Sequence, residues 1–262
     1  MNTVIKSAWA LLLFATCFAM GAGGAHAASG AVKGNPGTSS PAWPSLFTGS
    51  PQGQDGEAGC TGTYNGNWKS YAATTANSIS ITAGNDCRTV NTNTNNSCVF
   101  NVGTGGVTQV SFDYAVSDAC HASQPADWLA FWIYSEPWNN AVEVDFIEST
   151  NGPGTGLNSN FAGRPIQVVI FPGGAAPPSW SGNITAKFSG TGSAVNVTVS
   201  NSTNSNVASS TLARSTGYFF VMDTTPTTAS GCTITVSNLS VAGTVPSSQC
   251  AGLPVTSSTE KK

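Results

Sequence analysis

The stretch AVEVDFIES, residues 141–149, sets three acids among Val, Phe and Ile. Glu143, Asp145 and Glu148 fall within six positions, while the whole chain of 262 residues holds 12 Asp plus Glu. The β-branched and aromatic letters mark a strand. Side chains alternate along a strand, so Val142, Val144 and Phe146 share one face and Glu143 and Asp145 the other. Glu148 stands five residues from Glu143 and has the wrong parity for that second face. One extra residue at Phe146–Ile147, a β-bulge, returns it to the side of the other two acids. A regular strand aims it at the apolar side instead.

The preceding strand-like run, DWLAFWIYS at 127–135, divides in the same way. Leu129, Phe131 and Ile133 form a core face; Trp128, Ala130, Trp132 and Tyr134 form the other. Two tryptophans and a tyrosine on one face either fill a second core or line a groove suited to sugar rings and their hydroxyls.

Further out the chain reads as short alternating segments broken by Gly, Pro and Asn: SISITA, VTQVSFDYAV, IQVVIFP, NITAKFSG, AVNVTVSN, NVASSTLA, GYFFVMDT and TITVSNLSVAG. No helical pattern exceeds two turns. The expected class is all-β, an antiparallel sandwich or jelly roll. Residues 1–27 read as a secretory signal: Lys6, an apolar run, then small residues ending AHA. That predicts export, to the periplasm or the medium, of a monomer with no membrane attachment after cleavage. A membrane anchor is the competing reading of the same run. Residues 28–58 are rich in Gly, Pro and Ser and read as a linker or draped segment; 59–250 form the jelly-roll domain, and 251–262 a tail.

Six of the 7 cysteines remain once the leader is removed. An even number in an exported chain predicts three disulfides, with 15 pairings open. Cys87 and Cys98, flanking the polar loop RTVNTNTNNS, suit a staple across a hairpin; Cys60 and Cys250 suit a tie between the ends. Zinc needs close Cys/His pairs that the sequence lacks. The formal net charge of −3 and the absence of a basic cluster before the final EKK point away from nucleic acid.

With the bulge, Glu143 and Glu148 are about four strand steps apart, roughly 13 Å at Cα, and two long side chains on a concave sheet can lean together. Two carboxyl groups about 5–5.5 Å apart are what a retaining glycosidase uses, one as nucleophile and one as acid and then base. Three neighbouring carboxylates resist simultaneous ionisation, so one proton is held towards neutral pH. Asp145 stands between the two glutamates and can tune Glu143. The bland alternative is a solvated polar face on an edge strand.

AFWIYS at 130–135 followed by EVDFIE at 143–148 resembles glycoside hydrolase family 16, the laminarinase and lichenase group, whose Glu-x-Asp-x-x-Glu strand follows an aromatic one. Family 7 cellulases carry a similar acidic strand. The resemblance implies a concanavalin A-like jelly roll that cleaves β-linked glucan (β-1,3 or β-1,3-1,4) internally with retention. It implies Glu143 as nucleophile, Asp145 as assisting acid and Glu148 as acid/base. Trp138 matches a tryptophan that often lies just upstream, and joins Trp128, Trp132 and Tyr134 as candidate sugar contacts. The histidine-bearing strand that the family shows after its acidic motif has no counterpart: IQVVIFP lacks histidine, and beyond the leader the chain has His121 alone.

Other chemistries find little support. No G-x-S-x-G accompanies His121, which sets aside a serine hydrolase. No cofactor is called for, although a structural calcium ion needs no readable signature. Two non-enzymatic readings remain: a lectin-like module with the same aromatic groove, and a disulfide-bonded envelope or adhesion protein without a cleft.

Overall fold

A computed structural model of the protein describes residues 42–49, 67–93, 97–117, 129–135, 143–149, 157–161, 164–169, 180–191, 194–201, 207–213, 217–224 and 231–256. The sequence alternation becomes strand alternation directly. In Val107–Val116, residues Val110, Phe112, Tyr114 and Val116 are buried while Ser111, Asp113 and Ala115 face outward. Thr233–Gly243 follows the same rule with one break: Asn238 adopts φ 52°, and pairing shifts between Ser237 and Ser240.

The described residues form fifteen strands, in chain order: β1 Thr48–Gly49, β2 Ala72–Thr74, β3 Ser78–Thr82, β4 Arg88–Asn91, β5 Val107–Val116, β6 Leu129–Ser135, β7 Glu143–Ser149, β8 Leu157–Phe161, β9 Arg164–Val169, β10 Trp180–Ser189, β11 Ala194–Asn201, β12 Val207–Ala213, β13 Tyr218–Thr224, β14 Thr233–Gly243 and β15 Val255–Thr256. They form two sheets. The seven-stranded sheet runs β1-β4-β13-β6-β7-β8-β9, and the eight-stranded one runs β12-β11-β10-β5-β14-β3-β2, with β15 added beside β14. Pairing is antiparallel apart from β14 with β15, which is parallel. The protein is therefore an all-β sandwich of two largely antiparallel sheets.

Between the sheets lies the main core. Phe112 of β5 meets Phe131 of β6 edge-on at 4.8 Å between ring centroids, and Phe146 of β7 and Phe220 of β13 complete the aromatic group. Rings of this size bury large apolar areas and dominate core energetics. Part of the 28–58 segment belongs to this packing. Pro44 starts a 3₁₀ turn over Trp43–Leu46, Trp43 and Phe47 are buried, and Trp43 Nε1 donates to Asn77 Oδ1 at 3.1 Å.

The strands absent from the sequence reading are short or polar: β1, β2, β4, β8 and β15. β4 is the instructive one, since its letters RTVN open the polar run between Cys87 and Cys98. Its backbone pairs with β1 and β13, which keeps these residues extended whatever their polarity. The cysteines pair otherwise than the two suggestions above. Cys98 bonds to Cys250, 152 residues away, which rules out both Cys87–Cys98 and Cys60–Cys250; Cys87 and Cys232 are disulfide-bonded as well. The hairpin staple fails because Cys98 N donates to Thr92 O, at the end of β4 opposite to Cys87, so the length of the strand separates the two cysteines.

Candidate functional site

β7 carries the bulge. Opposite β6, Tyr134 pairs with Glu143, Ile133 with Val144 and Trp132 with Asp145; Phe131 then pairs with Ile147 and Ala130 with Glu148. Phe146 is the extra residue. The other neighbour shows the same count, since Asp145 pairs with Asn160 but Glu148 with Asn158. Phe146 and Ile147 are both buried in the main core. Two consecutive apolar residues that both favour the core supply the local reason for the bulge, because a flat strand would put one of them on the outer face.

The consequence is a set of rows across the seven-stranded sheet. Ala130, Trp132 and Tyr134 belong to a second hydrophobic cluster with Phe219 and Val221 of β13, on the outer face. Glu143, Asp145 and Glu148 take the register positions opposite those three β6 residues. Asp145 is buried at 6% exposure, whereas Glu143 is half-buried. The side chain of Glu148 lies outside the described residues, as do Trp128 and Trp138 altogether.

The aromatic residues of β6 answer the question left open by the sequence. Trp132 and Tyr134 stack at 4.7 Å between centroids with planes 23° apart, and Tyr134 meets Phe219 at 4.5 Å. They are buried, Trp132 at 4% and Tyr134 at 0% exposure, yet on the outer face and not between the sheets. Tyr134 thus supports the face from beneath. The Trp132 Nε1 hydrogen is buried and has no acceptor among the described residues. An indole N–H in that state normally finds a partner, so this donor is a feature of the site.

Sequence reasoning missed three polar residues here. Asn91 of β4 pairs with Val221, which pairs with Trp132; Thr89 of β4 pairs with Asp223, which pairs with Ala130. All three, Thr89, Asn91 and Asp223, are buried. In GYFFVMDT, Phe219, Val221 and Asp223 keep period two, but parity alone does not link Asp223 to the acids of β7; Thr89 and Asn91 sit in a run that reads as loop. Among the described residues, no three His, Cys, Asp or Glu side chains converge as a metal site would.

No protein-family model matches the chain, and no curated protein matches it in sequence. Solved structures do resemble it. A glycoside hydrolase family protein from Mycobacterium thermorestibile is 10% identical with a TM-score of 0.46, covering 75% of this chain and 92% of that one. A protein of Mycobacterium tuberculosis, described as an immunostimulatory antigen and pseudo β-1,3-glucanase, is 14% identical with a TM-score of 0.45 over 75% and 92%. Winged bean acidic lectin, complexed with methyl-α-D-galactose, is 11% identical with a TM-score of 0.37 over 64% and 90%.

Proposed function

We propose that the protein is an exported glycoside hydrolase that cleaves β-linked glucans internally with retention of configuration. What carries this reading is the bulge at Phe146: it sets Glu143, Asp145 and Glu148 opposite Tyr134, Trp132 and Ala130, three residues of one face. Glu143 attacks the anomeric carbon while Glu148 protonates the departing glycosidic oxygen. The covalent glycosyl intermediate is then hydrolysed by water that Glu148 deprotonates, which restores its proton. Asp145, two residues from Glu143 on the same strand face, adjusts the charge of the nucleophile. Burial of Asp145 beside an aromatic cluster supports a chemical role over a solvated polar edge, because a carboxylate withdrawn from water is costly unless its surroundings use it. Trp132 offers its buried N–H to a sugar hydroxyl, and Trp128 and Trp138 remain candidate contacts.

The test is reducing-end release from a panel of β-1,3, β-1,4 and mixed-linkage glucans, comparing the wild type with Glu143→Gln and Glu148→Gln. Turnover by the wild type and its loss in both variants is expected. Glucan binding by the wild type without turnover overturns the enzyme and leaves a lectin-like module.

A further inference from the structure

Residues 42–49 touch both sheets. Trp43 is anchored beside the eight-stranded one: its Nε1 donates to Asn77 Oδ1 at 3.1 Å, Asn77 Nδ2 donates to Asn238 Oδ1, and Asn238 Nδ2 donates to Asp113 Oδ2 at 2.6 Å. Phe47 then sinks into the main core. Gly49 pairs with Val90, a core residue of β4, and the Trp68 side chain fills the space that a Cβ at 49 would need. Phe47 and Gly49 thus face inward. Thr48, between them, faces outward.

That places Thr48 at one end of a row across the seven-stranded sheet. It pairs with Asn91, Asn91 with Val221, Val221 with Trp132, and Trp132 with Asp145. The row crosses five strands, β1, β4, β13, β6 and β7. Val221 and Trp132 make it apolar in the middle, and Thr48 and Asp145 make it polar at the ends. The Thr48 hydroxyl and the Trp132 indole N–H are both buried without a hydrogen-bond partner among the described residues. Such groups are costly and uncommon in native structures. These two stand in one row, three strand spacings or about 14 Å apart.

We propose that Thr48 is a substrate-binding residue that makes the face select long glycan chains over short ones. This rests on the reading of the face as a glycan cleft. A pyranose unit in an extended chain is about as long as one strand spacing, so the row takes one sugar per strand, from Trp132 over Val221 and Asn91 to Thr48. A hydroxyl of the last of these sugars supplies the bond that Thr48 lacks. Thr48 is half-buried and not enclosed, and a turn of its side chain between staggered positions presents the hydroxyl to the sugar. A disaccharide on Trp132 stops short of β1 and gains nothing from it. The amide chain from Trp43 to Asp113 holds the segment that carries Thr48, so the contact is offered at a fixed place.

The experiment is calorimetric titration of the Glu143→Gln protein, with and without Thr48→Val, using the disaccharides and hexasaccharides of the β-1,3 and β-1,4 glucose series. Valine keeps the branched shape and removes the hydroxyl. The Kd for the better-bound hexasaccharide is expected to rise about fivefold or more, the scale of one hydrogen bond, while the disaccharide Kd stays in place. Thr48→Ser, which keeps the hydroxyl, should retain the hexasaccharide affinity. The melting temperature of Thr48→Val should not fall, because the free protein loses no bond. An unchanged hexasaccharide Kd overturns the proposal, as does an equal loss on both lengths or a lowered melting temperature. If Thr48→Val does not fold, Thr48→Ala is titrated and judged by the same two affinities. The titration reads no turnover, so the two readings fail separately. Length-dependent binding through Thr48 in a protein that cleaves no glucan removes the hydrolase alone. Cleavage of glucan with a hexasaccharide Kd indifferent to Thr48 removes this proposal alone, and binding of neither hexasaccharide removes it together with the glycan cleft.

Discussion

The two sheets of the sandwich have the same alternation and put their outer faces to opposite uses. On the eight-stranded sheet, hydroxyls pair across strands: Ser80 with Thr235 at 2.8 Å, Thr82 with Thr233 at 3.0 Å and Ser111 with Thr185 at 3.2 Å. Asp113 there accepts from Asn183 at 3.0 Å and from Asn238 at 2.6 Å. That acid is half-exposed and well supplied with donors. On the seven-stranded sheet the outer face holds a stacked Trp132–Tyr134 pair, two buried acids and buried Thr89 and Asn91. Polar letters at outward positions thus mean different things on the two faces. A Ser/Thr ladder bonded to itself is a solvated surface, whereas acids removed from water beside aromatic rings mark a candidate functional face.

The comparison is broken most easily by catalysis. Glu143→Gln is expected to lower glucan turnover by at least about 10²-fold, the scale of removing a group that takes part in the transition state. Asp113→Asn should leave the rate unchanged within error. Equal losses from both, measured as reducing ends under the same conditions, would abolish the distinction between the faces.

Next in size is the tie between the sheets. Cys98 lies two residues before Phe100, which bridges to Tyr218 of β13 in the seven-stranded sheet; Cys250 follows β14 of the eight-stranded one. A bond closing 152 residues removes much freedom from the unfolded chain. Replacing both cysteines by alanine should cost about 2–5 kcal/mol of stability. Urea unfolding checks this, and a loss well below that range would mean that the strand pairing alone holds the two faces in register.

Much of this was readable beforehand, for a physical reason. Strands that bury one face against the core alternate cleanly, and so β5, β11 and β14 coincide with their sequence segments to the residue. The bulge was legible because parity failed at a single step between Asp145 and Glu148, where two apolar residues stand side by side. β4 was not legible: Thr89 and Asn91 are buried on the outer face, and burial by tertiary neighbours leaves no mark in a run of polar letters. Asp223 escaped for a related reason. Its partner row is assembled from three strands far apart in sequence, so no local spacing links it to Glu148. The disulfide pairing is equally non-local, set by where the fold brings the cysteines and not by what lies between them.

A smaller effect sharpens the contrast at Trp132. Trp132→Phe keeps an aromatic ring to stack on Tyr134 and removes the buried N–H. If that donor waits for a ligand, the change should be neutral or mildly stabilising to the free protein and should weaken glucan binding about tenfold, the worth of one hydrogen bond into a buried site. Calorimetric titration with a non-hydrolysed Glu143→Gln background, alongside a melting curve, reads both. A drop in melting temperature with binding intact would assign the N–H to the scaffold.

The smallest expected effect lies between the faces, at Tyr114. Its hydroxyl is buried on the core side of β5, has no hydrogen-bond partner among the described residues, and sits over Gly182, where an added Cβ would come within 2.9 Å of it. Burial pushes the phenol well above its usual value of 10.0. The native protein therefore keeps this proton at pH values where the unfolded chain has lost it. The associated stability is fully present below pH 10.0 and declines as the pH rises from there toward the folded value. Tyr218 is raised by burial in the same way and adds to the decline. Tyr114→Phe removes one of these two contributions. It also removes an unpaired buried hydroxyl, which is neutral or stabilising by up to about 1 kcal/mol at neutral pH. Urea unfolding near neutrality and again above about pH 10 should show a variant that is no less stable at the first and loses less at the second. A variant less stable than the wild type near neutrality would show that the hydroxyl is bonded after all, and that the core between the two faces holds a polar contact of its own.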